Sequence, residues 1–189
     1  MMYNRDIQEA IKVLKSGGII LYPSDTIWGI GCDCSNADAI RKVYEIKKRA
    51  DEKSMILLAD SIQMVERYVE VIPEIAYQIV EFSTSPLTII YPRAKLLPKN
   101  LVAQDGSIAI RISNEEFSNE LVFRHRKPIV STSANISGEK APDCFIDISE
   151  EIKNSVDYIV GYQQNDLSKS KPSGIIKLGP TGEVKVIRE

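Results

Sequence analysis

Short apolar runs, each too brief to be a helix of its own, recur from one end of the chain to the other. IILYP, SMILLA, PLTIIYP, SIAIRI, KPIVS, DYIVGY, GIIKL and VKVIR are bounded by Gly, Pro, Ser, Asn or Asp, which is the pattern of buried strands. Helical spacing fills the intervals. Ile7, Ile11 and Leu14 share a face behind a cap at Asn4 or Asp6, and Gly17-Gly18 stops that helix. Ser35 or Asn36 opens a second helix with Ala39, Ile40, Val43 and Ile46 on one side. Further helices are expected over 61–69, over 73–82, from a cap at Asn114 to about His125, and near 149–153. The last two runs flank GPTG and predict a hairpin. Helices and strands alternate without strict βαβ order. The expected fold class is therefore α/β, one domain over residues 1–189, with a twisted mixed β-sheet flanked by helices.

A chain of 189 residues suffices for one well-buried core. Its net charge of −2 excludes a protein that binds polyanions over its whole surface, so nucleic acid would need a local patch. Two basic clusters are candidates: Lys47, Lys48, Arg49 and Lys53, and then Arg124, His125, Arg126 and Lys127. No apolar run approaches membrane length and nothing resembles a signal peptide, so a cytoplasmic protein with no membrane partner is expected. Three cysteines, Cys32, Cys34 and Cys144, are an odd count without zinc-type pairing; Cys32 and Cys34 read as free thiols on a strand.

The machinery of several enzyme classes is missing. There is no Walker A loop, no Gly-rich dinucleotide fingerprint and no His-Glu-x-x-His. The single histidine, His125, reads as an exposed charge at a helix end, which argues against a Ser-His-Asp apparatus. What remains is a set of cations and hydroxyls at element ends. Lys47 and Arg49 lie where a helix runs out. Arg111 interrupts the apolar run IAIRI, where it must either form a structural salt bridge or face a pocket. STSANISG and KPSG are turns of small and hydroxyl residues beside strands, suited to cradling an anion with backbone N–H groups. Together these features describe a site for an anionic, phosphorylated ligand.

The same residues resemble a family. YPSDTIWGIGCD is similar to the Tyr-Pro-Thr-x-Thr-x-Tyr-Gly-Leu-Gly segment of the YrdC-like threonylcarbamoyl-AMP synthases. Lys47-Lys48-Arg49 matches their Lys-x-Arg motif, and Ser133 with Asn135 their Ser-x-Asn motif. SPLTIIYP, GSIAIRI, KPSGII and the closing VIR follow in the family's order, so the resemblance runs from about Gly17 to Arg188. It implies the single-domain form of an L-threonylcarbamoyladenylate synthase. Such an enzyme joins L-threonine, bicarbonate (or CO2) and ATP with release of pyrophosphate, for the threonylcarbamoyladenosine modification of tRNA. By matched position, Lys47 and Arg49 would be catalytic. Ser24, Thr26 and Arg111 would hold threonine, and Lys53, Ser107, Ser131, Ser133, Asn135, Ser173 and Arg188 would line the ATP side. Magnesium is expected with ATP, held mainly by ligand oxygens and water, since few carboxylates sit in the motifs. The implied partners are tRNA or double-stranded RNA and a downstream threonylcarbamoyl-transferase complex.

Five positions depart from the family pattern. Ala50 and Ser54 stand for prolines, Ser24 for threonine, Trp28 for tyrosine and Gly174 for threonine. Alternative readings are an RNA-binding accessory protein without catalysis, or a family paralogue with another substrate. Dihydroxybutanone-phosphate synthase chemistry would need an acidic motif that the chain lacks.

Overall fold

The computed structural model describes residues 3–48, 55–168 and 171–189. Its elements, in chain order, are α1 (Asn4–Lys15), β1 (Ile20–Tyr22), β2 (Gly29–Asp33), α2 (Ala37–Ile46), β3 (Ile56–Ala59), α3 (Ile62–Tyr68), α4 (Glu74–Phe82), β4 (Leu87–Tyr91), β5 (Ile108–Ile112), α5 (Glu116–His125), β6 (Ile129–Ser133), a short 3-10 helix (Phe145–Asp147), α6 (Glu150–Asn154), β7 (Tyr158–Ile159), β8 (Gly174–Leu178) and β9 (Val184–Arg188).

The strands join one nine-stranded sheet in the order β7-β1-β2-β6-β3-β5-β4-β8-β9. Three neighbouring pairs are parallel, β1 with β7, β3 with β5 and β4 with β8; the other five pairings are antiparallel. This is the mixed sheet with flanking helices that the alternation of elements predicts. Central strands are buried on both faces, as β1, β2 and the inner part of β3 show, because they are covered on both sides. Among the described residues no helix is long and apolar enough to cross a membrane.

Local chemistry fixes the helix starts. The Asn36 side chain accepts from the amides of Asp38 and Ala39, and Ser61 accepts from Met64, caps worth about 1 kcal/mol each. Two expected caps are displaced. Glu115, not Asn114, accepts the amides of Phe117 and Ser118, its longer side chain reaching two donors. At α1 no side chain caps the helix; Asp6 instead accepts a hydrogen bond from Tyr158 Oη at 2.6 Å, and Asn4 accepts one from Arg124.

His125 is a correction. It is buried, with its side chain 1% exposed and Nε2 3.2 Å from Asp33 Oδ2. The helix ends immediately after it because Arg126 turns into the left-handed region at φ 63°, which keeps His125 under the end of β2 instead of in solvent. Cys32, Cys34 and Cys144 are free and buried. Burial pushes the Cys32 thiol far up and the Cys34 thiol up to about 12, which leaves neither reactive.

Candidate active site

A cavity of about 440 Å³ opens on the sheet face where the small-residue turns meet. The expected residues on its walls come from four places far apart in the chain. The Ser-Asp-Thr turn after β1 contributes Ser24 and Thr26, and β5 contributes Arg111. The end of β6 and its following turn contribute Ser131, Ser133 and Asn135, while the closing hairpin contributes Ser173 and Arg188. Eight of the residues expected at the site thus share one cavity.

Each wall is braced from behind. Tyr22 sits opposite Gly29 in the β1–β2 pairing and passes its ring over the glycines of β2, donating to Ser131 Oγ at 2.8 Å. A Cβ on Gly31 would stand 2.8 Å from the Tyr22 ring and 2.7 Å from the Val130 carbonyl, so glycine is required there by close approach. Burial pushes the Tyr22 phenol far above its ordinary value, so it remains a neutral donor. Across the cavity, Thr88 Oγ1 and Ser173 Oγ are 2.8 Å apart, and Arg188 donates through Nε and Nη2 to the Ser173 carbonyl at 3.0 and 2.8 Å.

Lys47 lies behind the Ser-x-Asn turn. It is 2% exposed and donates to the carbonyls of Ser133 and Asn135 at 2.5 Å each, with Ser133 Oγ and Asn135 Oδ1 at 3.3 and 3.1 Å. An ammonium is a donor only, so Ser133 Oγ accepts from it and its own proton is left to point towards a ligand. The Lys47 carbonyl in turn accepts from the Ser137 amide at 2.9 Å, and Asn135 Nδ2 donates to the carbonyls of Ile136 and Glu139. The turn is therefore clamped from within.

Arg111 carries a partner that the turn motif conceals. Its Nη2 is 3.0 Å from Asp25 Oδ1, with both side chains buried. Burial pushes the Asp25 carboxyl up against the downward pull of the Arg111 guanidinium. Both readings of an arginine in an apolar strand hold at once, since it makes a salt bridge and also lines the cavity.

Among the described residues, two expected at the site, Lys47 and Ser107, do not line this cavity. Ser107 is not in this cavity; it donates to Asp105 Oδ1 at 2.5 Å in a neighbouring hollow with Ala109, Ile90 and Lys177. Four residues of extended chain separate it from Arg111, roughly 13 Å. Arg49 and Lys53 lie outside the described residues. Trp28, standing for the family's tyrosine, is a wall residue packed against Phe145 at a centroid distance of 4.8 Å. Tyr22, Asp25, Thr88 and Glu139 complete the surroundings without having been expected there. Among the described residues no three His, Cys, Asp or Glu side chains cluster as metal ligands, and Glu139 is the one carboxylate lining the cavity.

Among the described residues, three cations of the basic clusters sit in ion pairs. Lys48 pairs with Glu151 at 2.7 Å, Arg124 with Glu120 at 2.6 Å and Lys127 with Asp33 at 3.1 Å.

Comparison with known proteins identifies the family and the fold. The Sua5/YciO/YrdC family model, described as telomere recombination, matches residues 12–189. A threonylcarbamoyl-AMP synthase of Pseudoalteromonas translucida is 35% identical over 182 residues, covering 94% of this chain and 95% of the relative. Among solved structures, E. coli YciO superposes with a TM-score of 0.84 at 22% identity, over 98% of this chain and 89% of its own. P. abyssi Sua5 complexed with L-threonine gives a TM-score of 0.81 at 24% identity over 91% of this chain, which spans 50% of that longer protein. At such identities the two structures are likenesses of fold.

Proposed function

The chain belongs to the Sua5/YciO/YrdC family, and on that premise we propose that it is an L-threonylcarbamoyladenylate synthase. It makes threonylcarbamoyl-AMP and pyrophosphate from L-threonine, bicarbonate or CO2, and ATP. The observation that carries this reading is the meeting of Ser24, Thr26 and Arg111 with the Ser-x-Asn turn and the Ser173–Arg188 hairpin around one cavity of about 440 Å³. The relative's name supports the reaction, and the threonine complex of the Sua5 neighbour supports the amino-acid half.

The cavity suits chemistry that needs little acid–base work. Threonine's neutral amine and bicarbonate condense with loss of water to a carbamate whose oxygen is already anionic. That oxygen attacks the α-phosphorus of ATP, and the bond from that phosphorus to the pyrophosphate oxygen breaks. The obstacle is the approach of two anions, which calls for positioning and fixed donors. Arg111 receives the threonine carboxylate in this scheme, with the Ser24 and Thr26 hydroxyls alongside. Ser131, Ser133, Asn135, Ser173 and Arg188 take the nucleotide, and Lys47 holds the Ser-x-Asn turn in shape. Arg49 and Lys53 are assigned to the phosphates by matched position alone. Ser107 is too far along β5 to share the cavity and, as a nucleotide contact, would serve from the adjoining hollow. With one carboxylate on the wall, magnesium fits as an ion carried by the triphosphate and water, where it supplies charge neutralisation.

The product, a reactive mixed anhydride, requires a transferase that passes the threonylcarbamoyl group to adenosine in tRNA. An RNA-binding role without catalysis finds less support, because the described cations of both basic clusters are mostly in ion pairs or buried. Incubation with ATP, magnesium, L-threonine and bicarbonate tests the proposal. Pyrophosphate should appear and should depend on both threonine and bicarbonate. Release that ignores either omission would overturn it.

A further inference from the structure

Asp25 is an expensive residue to keep. It lies between the two hydroxyl residues of the Ser-Asp-Thr turn, its side chain is 6% exposed, and no side chain but Arg111 pairs with its carboxylate. A buried carboxylate costs several kcal/mol unless a charge compensates it. Its neighbour at ion-pair distance is Arg111, at 3.0 Å. Arg111 in turn is 5% exposed, lines the cavity, and has an Nε without a hydrogen-bond partner. Its register partners in the sheet, Leu58 and Thr88, offer no charge to hold it. The Ser24 hydroxyl is occupied by the Ile27 carbonyl at 2.8 Å and Thr26 Oγ1 at 3.1 Å, which fixes the turn and hence the place of Asp25.

We propose that Asp25 is a positioning and specificity residue for the amino-acid half of the cavity. It holds the Arg111 guanidinium from behind and cancels its charge towards polyanions, so that Arg111 takes the carboxylate of a zwitterionic amino acid and not a phosphate. A lone guanidinium in a dry cavity would attract the most highly charged anion present, which beside ATP is the triphosphate. The neutral Asp25–Arg111 pair removes that attraction but leaves the remaining N–H donors of the guanidinium in place. A zwitterion, whose net charge is zero, loses little by the change, whereas a triphosphate loses its main attraction. This discrimination works by withdrawing charge from the wrong ligand, and it presupposes the synthase reading of the cavity.

The test is calorimetric titration of L-threonine, with and without inorganic phosphate, into the full chain and its Asp25→Asn, Asp25→Glu and Arg111→Gln variants. Wild type should bind threonine with little effect of phosphate. Asp25→Asn should bind it roughly tenfold or more weakly, with phosphate now competing, and should change nothing further in the Arg111→Gln background. Should Asp25→Asn fail to fold, Asp25→Glu decides: it keeps the charge on a longer arm, so threonine affinity falls while phosphate still does not compete. Undiminished threonine affinity in the folded variants, or a loss without phosphate competition in Asp25→Asn, would overturn the role of Asp25 and leave the synthase reading standing. A wild-type protein that binds no threonine would overturn both.

Discussion

The Tyr22 phenol crosses strand β2 to reach Ser131, 2.8 Å away, and only the absence of a side chain on Gly31 lets it pass. A core tyrosine is thereby coupled to a hydroxyl of the cavity wall. Tyr22→Phe should cost about 1 kcal/mol in urea unfolding, the net worth of one hydrogen bond, and should lower pyrophosphate release while the fold persists. Gly31→Ala should cost more, about 1–3 kcal/mol, because its methyl meets both the ring and a carbonyl. Equal stability of Gly31→Ala and wild type would show that the crossing is not tight.

Lys47 joins the end of α2 to the Ser-x-Asn turn. Removing its ammonium in Lys47→Met keeps the apolar stem but leaves the Ser133 and Asn135 carbonyls without that donor. The expected loss is about 1–3 kcal/mol of stability together with the activity, measured by denaturation and by pyrophosphate release on the same preparation. Loss of activity at unchanged stability would place the ammonium on the nucleotide instead of on the turn.

The periodicity of apolar residues made most strands and helices legible, but β2 showed only through Cys32 and Cys34, read as thiols on a strand. GIGCD carries two glycines, and it is a strand because β1 and β6 pair with it on both edges; tertiary pairing supplies what propensity does not. His125 misled for the same reason. Its local setting is a basic helix end, and only the fold brings Asp33 beneath it. In the candidate site, the hydroxyl turns and Arg111 stood out because small residues and a lone cation are conspicuous beside apolar strands. Tyr22 and Asp25 did not, since the one reads as core and the other as turn filler. The available signal was faint: glycines alternating on the strand facing a tyrosine, and an acid in the turn beside an arginine-bearing wall.

Arg188 uses two of its nitrogens on a single carbonyl, that of Ser173, and so fastens the KPSG turn to the last strand. Although β9 is exposed along its length, Arg188→Leu takes both donors from the Ser173 carbonyl and should cost about 1–3 kcal/mol. The freed turn should weaken ATP binding while threonine binding holds. Parallel losses of both ligands in calorimetric titrations would assign Arg188 to the whole cavity.

At the opposite end of β2 from the cavity, Asp33 gives the protein a defined sensitivity to acid. Burial pushes its carboxyl up. The His125 ring at 3.2 Å, the Ser35 hydroxyl and amide at 2.6 and 2.7 Å and the Lys127 ammonium at 3.1 Å outweigh that and hold it well below the usual carboxylate range. The folded-state value thus lies below the unfolded one, near 3.9. The ionised carboxylate therefore contributes stability that is complete above about pH 4 and drains away as the pH falls through the folded value, because the unfolded chain binds the proton first. Asp33→Asn cannot ionise. It should be less stable than wild type at neutral pH, and the gap should narrow as both are taken below about pH 4. Urea unfolding of the pair across that range measures the convergence; curves that stay parallel would mean that the charge on Asp33 is not linked to folding.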